Sequence, residues 1–425
     1  MKFIYLTTLY ASVIKDFYAK QTSRSSLGYS EQRAELERQG YGWTGAFGPA
    51  LSGLGYEVLE ISANVEEMQR AWAKENGLAW PIASWKKDIA FAQVRAADPE
   101  IIFVDNPVLF DRTWLDRVRM SCPHLRLILG FTGTSSSVLD TLRCYDGVLS
   151  CLRFQQEELK HQGMRAFYLR HAFNRKSLPS SLQRGPVVPE VCFVGGMVRA
   201  NSYHLEREKF LEALVEKLPV SMYCPQYEIS TGYDYLNTGA RHILYTSMQV
   251  LRLLGCSDAS RERLPFVGRS AGWKAWPMLQ INPHLRRQMR PAVFGNEMLT
   301  TLRGAAIAFN KHIDFAGDEA GNMRLYEATG AGSCLLTDAK RNLSDFYVLD
   351  REVVAYESIS ECVEKAKWLL EHPQEREAIA IAGQQRTLRD HTFENRALDL
   401  HEIVQKCLAI RGGAATSLKS EFPWK

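Results

Sequence analysis

Residues 318–338 read DEAGNMRLYEATGAGSCLLTD, and this stretch predicts one helix-to-strand unit of an α/β protein. Asn322 is a residue type that favours the N-cap of a helix, because its side-chain oxygen can accept a free backbone N–H of the first turn. A short helix is predicted over residues 323–329, and Gly330 and Gly332 are expected to end it because glycine tolerates positive φ. The apolar letters that follow, SCLL, predict a buried strand.

Two acidic residues lie close to the start of this helix. Glu319 is in the loop before it and Glu327 is within it, with seven residues between them. An ionised carboxylate only accepts hydrogen bonds and can take two O–H donors, which suits the hydroxyls of a sugar. The helix N-terminus also favours phosphate, because its free N–H groups and its dipole attract negative charge. The stretch therefore predicts a site for an anionic, hydroxyl-rich ligand that both carboxylates face. The alternative is an ordinary helix–strand corner with a solvated Glu327.

The stretch resembles the donor-binding loop and helix of retaining glycosyltransferases that have two Rossmann-like domains, the GT-B architecture. In those families a Glu-x7-Glu pair contacts the donor sugar and the nucleotide ribose, which implies these roles for Glu319 and Glu327. The sequence RLYEATGAGSCLLTD is more similar still to the C-terminal domain of the CgeB-like branch of glycosyl transferase group 1. The sequence similarity continues over residues 352–396, so the resemblance covers about 80 residues.

Length and composition limit the classes of protein to which the chain can belong. A chain of 425 residues is too long for one ordinary core, so two domains are expected. The formal net charge of +4 is small for this length and gives no case for nucleic acid as the main partner. The first residues, MKFIYLTTLY, predict a strand rather than a signal peptide, and no run approaches the length needed to span a bilayer. The nine cysteines are scattered, which argues against structural zinc and for a reducing cytoplasm.

Residues 1–180 predict an N-terminal Rossmann-like domain, and the resemblance implies that this domain binds the acceptor. Strands alternate with helices, so a parallel sheet is expected, with ligands at the carboxyl ends of its strands. Polar residues and glycines fall at those ends, and each is also a residue type common in turns: Asp105, Thr132, Gly133 and His171. A glycine-rich stretch at 40–48 predicts a loop that lines the cleft, with Trp43 offering a face on which a sugar can stack. Plain turn chemistry is the alternative for this loop.

The second half predicts a linker at 181–189 and a C-terminal Rossmann-like donor domain at 190–395 with an irregular insert at 227–300. A crossover helix at 396–410 is expected to return to the N-terminal domain, and a flexible tail at 411–425 to follow it. The insert is basic and carries tryptophans, which is typical of contact with an anionic membrane surface or a diphosphate-linked lipid, or of a solvated insert.

The donor domain supplies several candidates for phosphate and sugar contacts. Gly195 and Gly196 follow a predicted strand and precede Arg199, an arrangement that suits a diphosphate. A second predicted strand ends at residues 310–312. The donor-binding candidates are Gly195, Gly196, Arg199, Asn310, His312, Asn322, Arg324 and Glu327; the acceptor-side candidates are Trp43, Thr132 and Gly133; the catalytic candidates are Glu319, Lys311, His171 and Asp105.

These observations predict a glycosyltransferase that moves a sugar from a nucleotide-sugar to a saccharide or lipid-linked acceptor, in surface polysaccharide or glycoconjugate synthesis. We expect a cytoplasmic protein, at most peripheral at the inner membrane face. The resemblance implies a retaining enzyme that needs neither a metal nor a cofactor, and the sequence has no Asp-x-Asp triplet. An inverting enzyme would need a base such as Asp105 or His171. The alternatives are a non-catalytic two-lobed sugar-binding or assembly protein and a nucleotide-sugar epimerase.

Overall fold

The structure is a computed structural model. It describes residues 1–79, 84–133, 139–178, 187–197, 204–228, 231–257, 260–261, 264, 268–270 and 282–411. Arg199, the tryptophans of the basic insert, most of the predicted linker and the predicted tail beyond residue 411 therefore lie outside the described residues.

The N-terminal domain is built on a six-stranded parallel sheet. Its strands carry nearly continuous apolar runs such as IIFV and LILGFT, which is typical of parallel strands that helices cover on both faces. The strand order is β2-β1-β3-β4-β5-β6, with bounds β1 Lys2–Thr7, β2 Glu57–Ser62, β3 Ile101–Val104, β4 Leu127–Thr132, β5 Gly147–Ser150 and β6 Ala166–Tyr168. The helices of this domain are α1 Ala11–Lys20, α2 Tyr29–Arg38, α3 Phe47–Ser52, α4 Glu66–Glu75, α5 Trp85–Ala97, α6 Arg112–Ser121, α7 Leu139–Leu142 and α8 Arg153–His161.

The C-terminal domain repeats this layout with a second six-stranded parallel sheet. Its order is β12-β11-β10-β7-β8-β9, with bounds β7 Val188–Val194, β8 Val220–Tyr223, β9 Met289–Arg290, β10 Ala305–Asn310, β11 Cys334–Asp338 and β12 Val354–Tyr356. The helices that accompany it are α9 Leu205–Lys217, α10 Thr231–Leu253, α11 Pro283–Gln288, α12 Gly295–Gly304, α13 Arg324–Ala331, α14 Ile359–Glu371 and α15 Pro373–Asp390.

The last described helix, α16 Phe393–Arg411, crosses back to the N-terminal domain. Phe393, Leu400 and Val404 are buried in the same apolar cluster as Phe3 and Phe103 of the first sheet. The chain therefore has two Rossmann-like domains joined by a C-terminal crossover helix, and the predicted fold class is confirmed.

Each sheet has one point where the strand order reverses direction. In the first sheet β1 lies between β2 and β3, and in the second β7 lies between β8 and β10. Parallel sheets bind ligands in the crevice beyond the carboxyl ends of the strands at such a point. The residues that follow β1 and β3, and those that follow β7 and β10, are therefore the first places to look for a site.

The helix after the central loop differs in detail from the prediction. It runs over Arg324–Ala331, and Met323 occupies the N-cap position with helical dihedral angles, so Asn322 is not the N-cap. Gly330 lies inside the helix, where a Cβ would meet the Phe173 ring at 2.4 Å, so its small size serves close packing. Gly332 does end the helix, with φ +84°.

Candidate active site

An arginine joins the two loops at the reversal point of the second sheet. Arg207, in α9, donates from Nη1 to the Gly196 carbonyl at 2.8 Å and from Nη2 to the Lys311 carbonyl at 2.7 Å. Its side chain is buried, and burial lowers the pKa of the guanidinium to about 10. Sequence reasoning missed this residue, because the surrounding LEREKF looks like any exposed helix start. The arginine fixes the glycine loop after β7 against the loop after β10.

A buried acid at the end of the next strand, Asp338, contacts two lysines and a histidine. Asp338 ends β11, and it accepts hydrogen bonds from His312 Nδ1 at 2.7 Å and from the His312 backbone N–H at 3.0 Å. Lys311 Nζ and Lys340 Nζ lie 3.2 and 3.3 Å from its other oxygen. Burial alone would raise the pKa of the carboxyl, but His312 and the two lysines hold it well below its ordinary value. Asp338 was not among the predicted site residues, and it holds Lys311 and His312 at the crevice.

Two predicted asparagines form a direct link between the donor loops. Asn322 Nδ2 donates to Asn310 Oδ1 at 2.8 Å, and Asn310 Nδ2 donates to Thr337 Oγ1 at 2.9 Å. The Asn310 carbonyl accepts from the Tyr356 hydroxyl at 2.7 Å. Asn322 therefore ties the loop before α13 to the end of β10 instead of capping the helix.

The first turn of α13 carries a charged pair. Arg324 Nη1 and Glu327 Oε2 are 2.9 Å apart, three residues apart on one face, and both side chains are about 15% exposed. Arg324 also contacts Met298 Sδ at 2.9 Å. The pair keeps a cation and a carboxylate together at the start of the helix, next to the Asn310–Asn322 link.

Glu319 contacts the N-terminal domain. Its Oε2 accepts from the backbone N–H groups of Arg153 and Phe154, at 2.6 and 3.3 Å, in the first turn of α8 of the other domain. Its Oε1 accepts from Arg341 Nη2 at 3.1 Å. The two acids of the Glu-x7-Glu pair thus have different surroundings, since Glu327 pairs with Arg324 and Glu319 faces the N-terminal domain.

Asp105 lies at the reversal point of the first sheet. Its Oδ2 accepts a hydrogen bond from the Tyr5 hydroxyl at 2.6 Å and another from the Thr7 hydroxyl. Burial raises the pKa of the carboxyl to about 6, although the bonds from Thr7 and Tyr5 act in the opposite direction. A carboxyl with such a pKa can take up and release a proton near neutral pH.

The acceptor-side candidates are tightly packed. Thr132 is buried at the end of β4, and a Cβ on Gly133 would lie 3.2 Å from Cys151 Sγ. Trp43 is 8% exposed and packs against Tyr5, Phe47, Phe103, Phe131 and Phe393. Its ring is therefore a core residue rather than an exposed face for sugar stacking.

Trp43 also determines which ring nitrogen of His171 carries the proton. The indole Nε1–H can only donate, and it lies 3.1 Å from His171 Nδ1, so Nδ1 accepts and Nε2 carries the proton. Burial lowers the pKa of the imidazole to about 4. His171 is therefore a neutral donor through Nε2, and the geometry does not suit the base that an inverting reaction would need.

The glycine-rich loop at 40–48 binds an internal carboxylate. Glu60 accepts from the N–H groups of Gly45 and Gly48, each at 2.8 Å. Burial raises the pKa of Glu60 to about 7. These two N–H groups are occupied within the protein, so turn chemistry accounts for this part of the loop.

Comparison with known proteins gives a family match for the C-terminal part of the chain and a fold match for nearly all of it. Residues 207–402 match the model of a family described as glycosyl transferase-like. This C-terminal segment is therefore glycosyl transferase-like, and the chain as a whole has the GT-B fold. Its narrower resemblance to the CgeB-like branch stays a prediction, and a search of curated proteins finds no match.

Several solved structures share the fold of this chain at low sequence identity. Sucrose-phosphate synthase from Thermosynechococcus elongatus is 10% identical with a TM-score of 0.52, covering 96% of this chain and 100% of its own. HepE from Anabaena, in complex with UDP-glucose, is 9% identical with a TM-score of 0.53 and the same coverage. A glycosyltransferase from Rickettsia africae is 8% identical with a TM-score of 0.51, covering 96% and 99%. Identities this low establish the fold and leave the substrates open.

The described part of this glycosyltransferase has no membrane-spanning helix and no cluster of metal ligands. None of its described helices combines the length and the apolar character needed to cross a bilayer. Among the described residues there is no group of three or more His, Cys, Asp or Glu side chains that could hold a metal ion.

Proposed function

We propose that this glycosyltransferase binds a nucleotide-sugar in the C-terminal domain and transfers the sugar to an acceptor held by the N-terminal domain. The observation that carries the proposal is the convergence of donor-type groups at the reversal point of the second sheet. The Gly195–Gly196 loop, the Asn310–His312 loop and the first turn of α13 meet there, and Arg207 and the Asn310–Asn322 bond hold them together.

Each part of this crevice suits one part of the donor. The glycines allow a diphosphate to approach the backbone, and Arg324 with the N-terminus of α13 favours its negative charge. Glu327, next to Arg324, would accept hydrogen bonds from the ribose hydroxyls. Departure of the nucleotide diphosphate leaves negative charge, and we assign its stabilisation to Lys311 and Arg324, the cations that pair with Asp338 and Glu327. Arg199 remains a predicted contributor.

We further propose a retaining reaction that needs no metal, on the strength of the Glu-x7-Glu resemblance. Proton NMR of the first-formed product would show whether the anomeric configuration of the donor is kept, and activity after EDTA treatment would test the metal requirement. If the product is inverted, Asp105 is the base favoured by geometry, because His171 carries its proton on Nε2 and is occupied at Nδ1.

A thermal-shift screen of UDP, ADP and GDP is the first experiment, since a ligand that binds only the folded state raises the melting temperature by mass action. UDP is the first choice because the HepE structure of similar fold contains UDP-glucose. Donor turnover should then be measured with and without saccharide and lipid-linked acceptors. Binding without turnover would favour the sugar-binding alternative, and donor isomerisation without an acceptor would favour the epimerase.

A peripheral contact with an anionic membrane is a second part of the proposal. The outward face of α10 exposes Leu236, Ile243 and Val250 at spacings of seven residues, with Leu254 just beyond the helix end. The insert that contains it has more basic than acidic residues, which suits a helix lying at an anionic interface. Flotation with anionic and with neutral vesicles at low salt tests the idea, and Ile243→Ser should weaken binding. Equal failure to float with both vesicles would reject the contact.

A further inference from the structure

The first two N–H groups of α8 are bonded by an acceptor from the other domain. The residue at its N-cap is Leu152, which makes no side-chain capping bond, and the first turn of the helix contains no acidic residue. The first N–H groups of a helix have no partner within the helix and need an acceptor from outside it. In this protein Glu319 of the other domain supplies that acceptor, through the 2.6 Å bond to Arg153 N and the 3.3 Å bond to Phe154 N.

The packing around this contact is close. Glu319 is 2% exposed, and a Cβ placed on Gly321 would lie 2.7 Å from Leu152 Cδ2 and 2.9 Å from the Cys151 carbonyl oxygen. The loop that leads into α13 thus lies directly on the backbone that leads into α8. Arg341 holds the second carboxylate oxygen from the C-terminal side at 3.1 Å.

We infer that Glu319 is a positioning residue that caps α8 across the domain interface and so fixes the N-terminal domain against the donor loop. This assignment differs from direct sugar contact, the role that the Glu-x7-Glu resemblance implies. The consequence for turnover rests on the proposed function. Because α13, which carries Arg324 and Glu327, begins shortly after Glu319 in the chain, the cap also sets the position of these donor residues across the cleft.

The backbone donor can be removed without removing the helix. Arg153 is the first residue of α8, a position where proline is well tolerated because its missing N–H has no partner within the helix, and Leu152 before it is already extended. Arg153→Pro deletes the 2.6 Å bond to Glu319. Arg153→Ala is the matched control, because it keeps the N–H while removing the side chain, which lies 5.0 Å from the Tyr168 ring.

The test combines Arg153→Pro with Glu319→Ala in a double-mutant cycle, read by amide hydrogen exchange of residues 151–157 and by donor kinetics. A cross-domain cap predicts about tenfold faster exchange in Glu319→Ala than in wild type. It predicts a smaller increase in Arg153→Pro over Arg153→Ala, because the Phe154 bond remains, and no increase in the double variant beyond that of Glu319→Ala. Independent, additive effects, or Arg153→Pro behaving like Arg153→Ala, would overturn the inference. Exchange needs no activity, so this result is separate from the fate of the proposed function.

Binding measurements distinguish a cap from a sugar ligand. In Glu319→Gln, a positioning role predicts that the affinities for free UDP and for the UDP-sugar fall by the same factor. Loss of UDP-sugar affinity alone, with UDP binding unchanged, would assign Glu319 to the sugar and reject the positioning role.

Discussion

At the scale of single residues, Glu327 is the most direct test of the donor site. Its ion pair with Arg324 is of a kind that contributes only about 0.2–0.5 kcal/mol to a helix. Charge-assisted bonds to ribose hydroxyls in a closed cleft would contribute more, about 1.5–3 kcal/mol. Glu327→Gln is therefore expected to reduce donor affinity or turnover about tenfold or more while the melting temperature hardly changes, as measured by calorimetric titration and thermal unfolding.

The control for this variant is Glu66→Gln, which removes an exposed carboxylate that pairs with Arg70 on α4. It should change neither donor binding nor stability appreciably. A sharp loss of stability in Glu327→Gln, with normal turnover of the folded enzyme, would show that Glu327 is structural.

Asp105 gives a prediction for the dependence of stability on pH. Its pKa is about 6 in the folded protein against an ordinary value of 3.8, so between these values the folded state holds a proton that the unfolded state has lost. Stability must then fall as the pH rises from about 4 to 6, by at most about 3 kcal/mol. Asp105→Asn lacks this titration, so unfolding by guanidinium at pH 4 and pH 7 should show wild type losing stability relative to the variant. If the free energies of unfolding of wild type and Asp105→Asn differ by the same amount at pH 4 and at pH 7, the raised pKa of Asp105 is contradicted.

Sequence reasoning found the residues of the site better than it found their contacts. It placed Asn310, Lys311, Asn322 and Arg324 at strand and helix ends, because periodicity and glycines mark where elements stop. It missed Arg207, whose role depends on two carbonyls brought together only by the folded sheet. Pairing between distant segments leaves no local pattern for a single sequence to show.

At the scale of elements, a backbone contact between the domains requires a residue without a Cβ at position 295. This glycine starts α12 with φ +54°, and a Cβ there would lie 2.0 Å from the Gln39 carbonyl oxygen, to which Asn296 N donates at 2.9 Å. Gly295→Ala should therefore lower the free energy of unfolding by at least about 1–3 kcal/mol, the range for a strained left-handed residue. Chemical denaturation measures this loss.

The matched control lies at the other end of the same helix. A Cβ on Gly304 would meet nothing within 4 Å, and the residue has no positive φ, so Gly304→Ala should be neutral or stabilise by about 0.4–1 kcal/mol. Equal effects of the two substitutions would show that the contact with Gln39 does not constrain the chain.

Elements were predictable to the extent that their signals are local. The strand predicted to end at residues 310–312 is β10, which ends at Asn310, and the buried strand predicted from SCLL is β11 Cys334–Asp338. The N-cap assignment of Asn322 was wrong, because Met323 occupies the N-cap position and the Asn322 side chain instead donates from Nδ2 to Asn310. Trp43 was misplaced because a tryptophan in a glycine-rich loop looks the same in sequence whether its ring is exposed or packed.

At the scale of the whole molecule, the crossover helix makes the N-terminal core depend on the end of the chain. Leu400 of α16 is fully buried in the cluster that includes Phe103, whereas Leu398 on the same helix is 52% exposed. Leu400→Ala should cost about 2–5 kcal/mol through lost burial and the cavity left behind, and Leu398→Ala should stay within about 0.5 kcal/mol. Because α16 packs on the first sheet, hydrogen exchange in Leu400→Ala should accelerate in β1, β3 and β4 more than in β10 and β11. Acceleration confined to residues 188–390 would mean that α16 stabilises the domain that precedes it and leaves the N-terminal core independent.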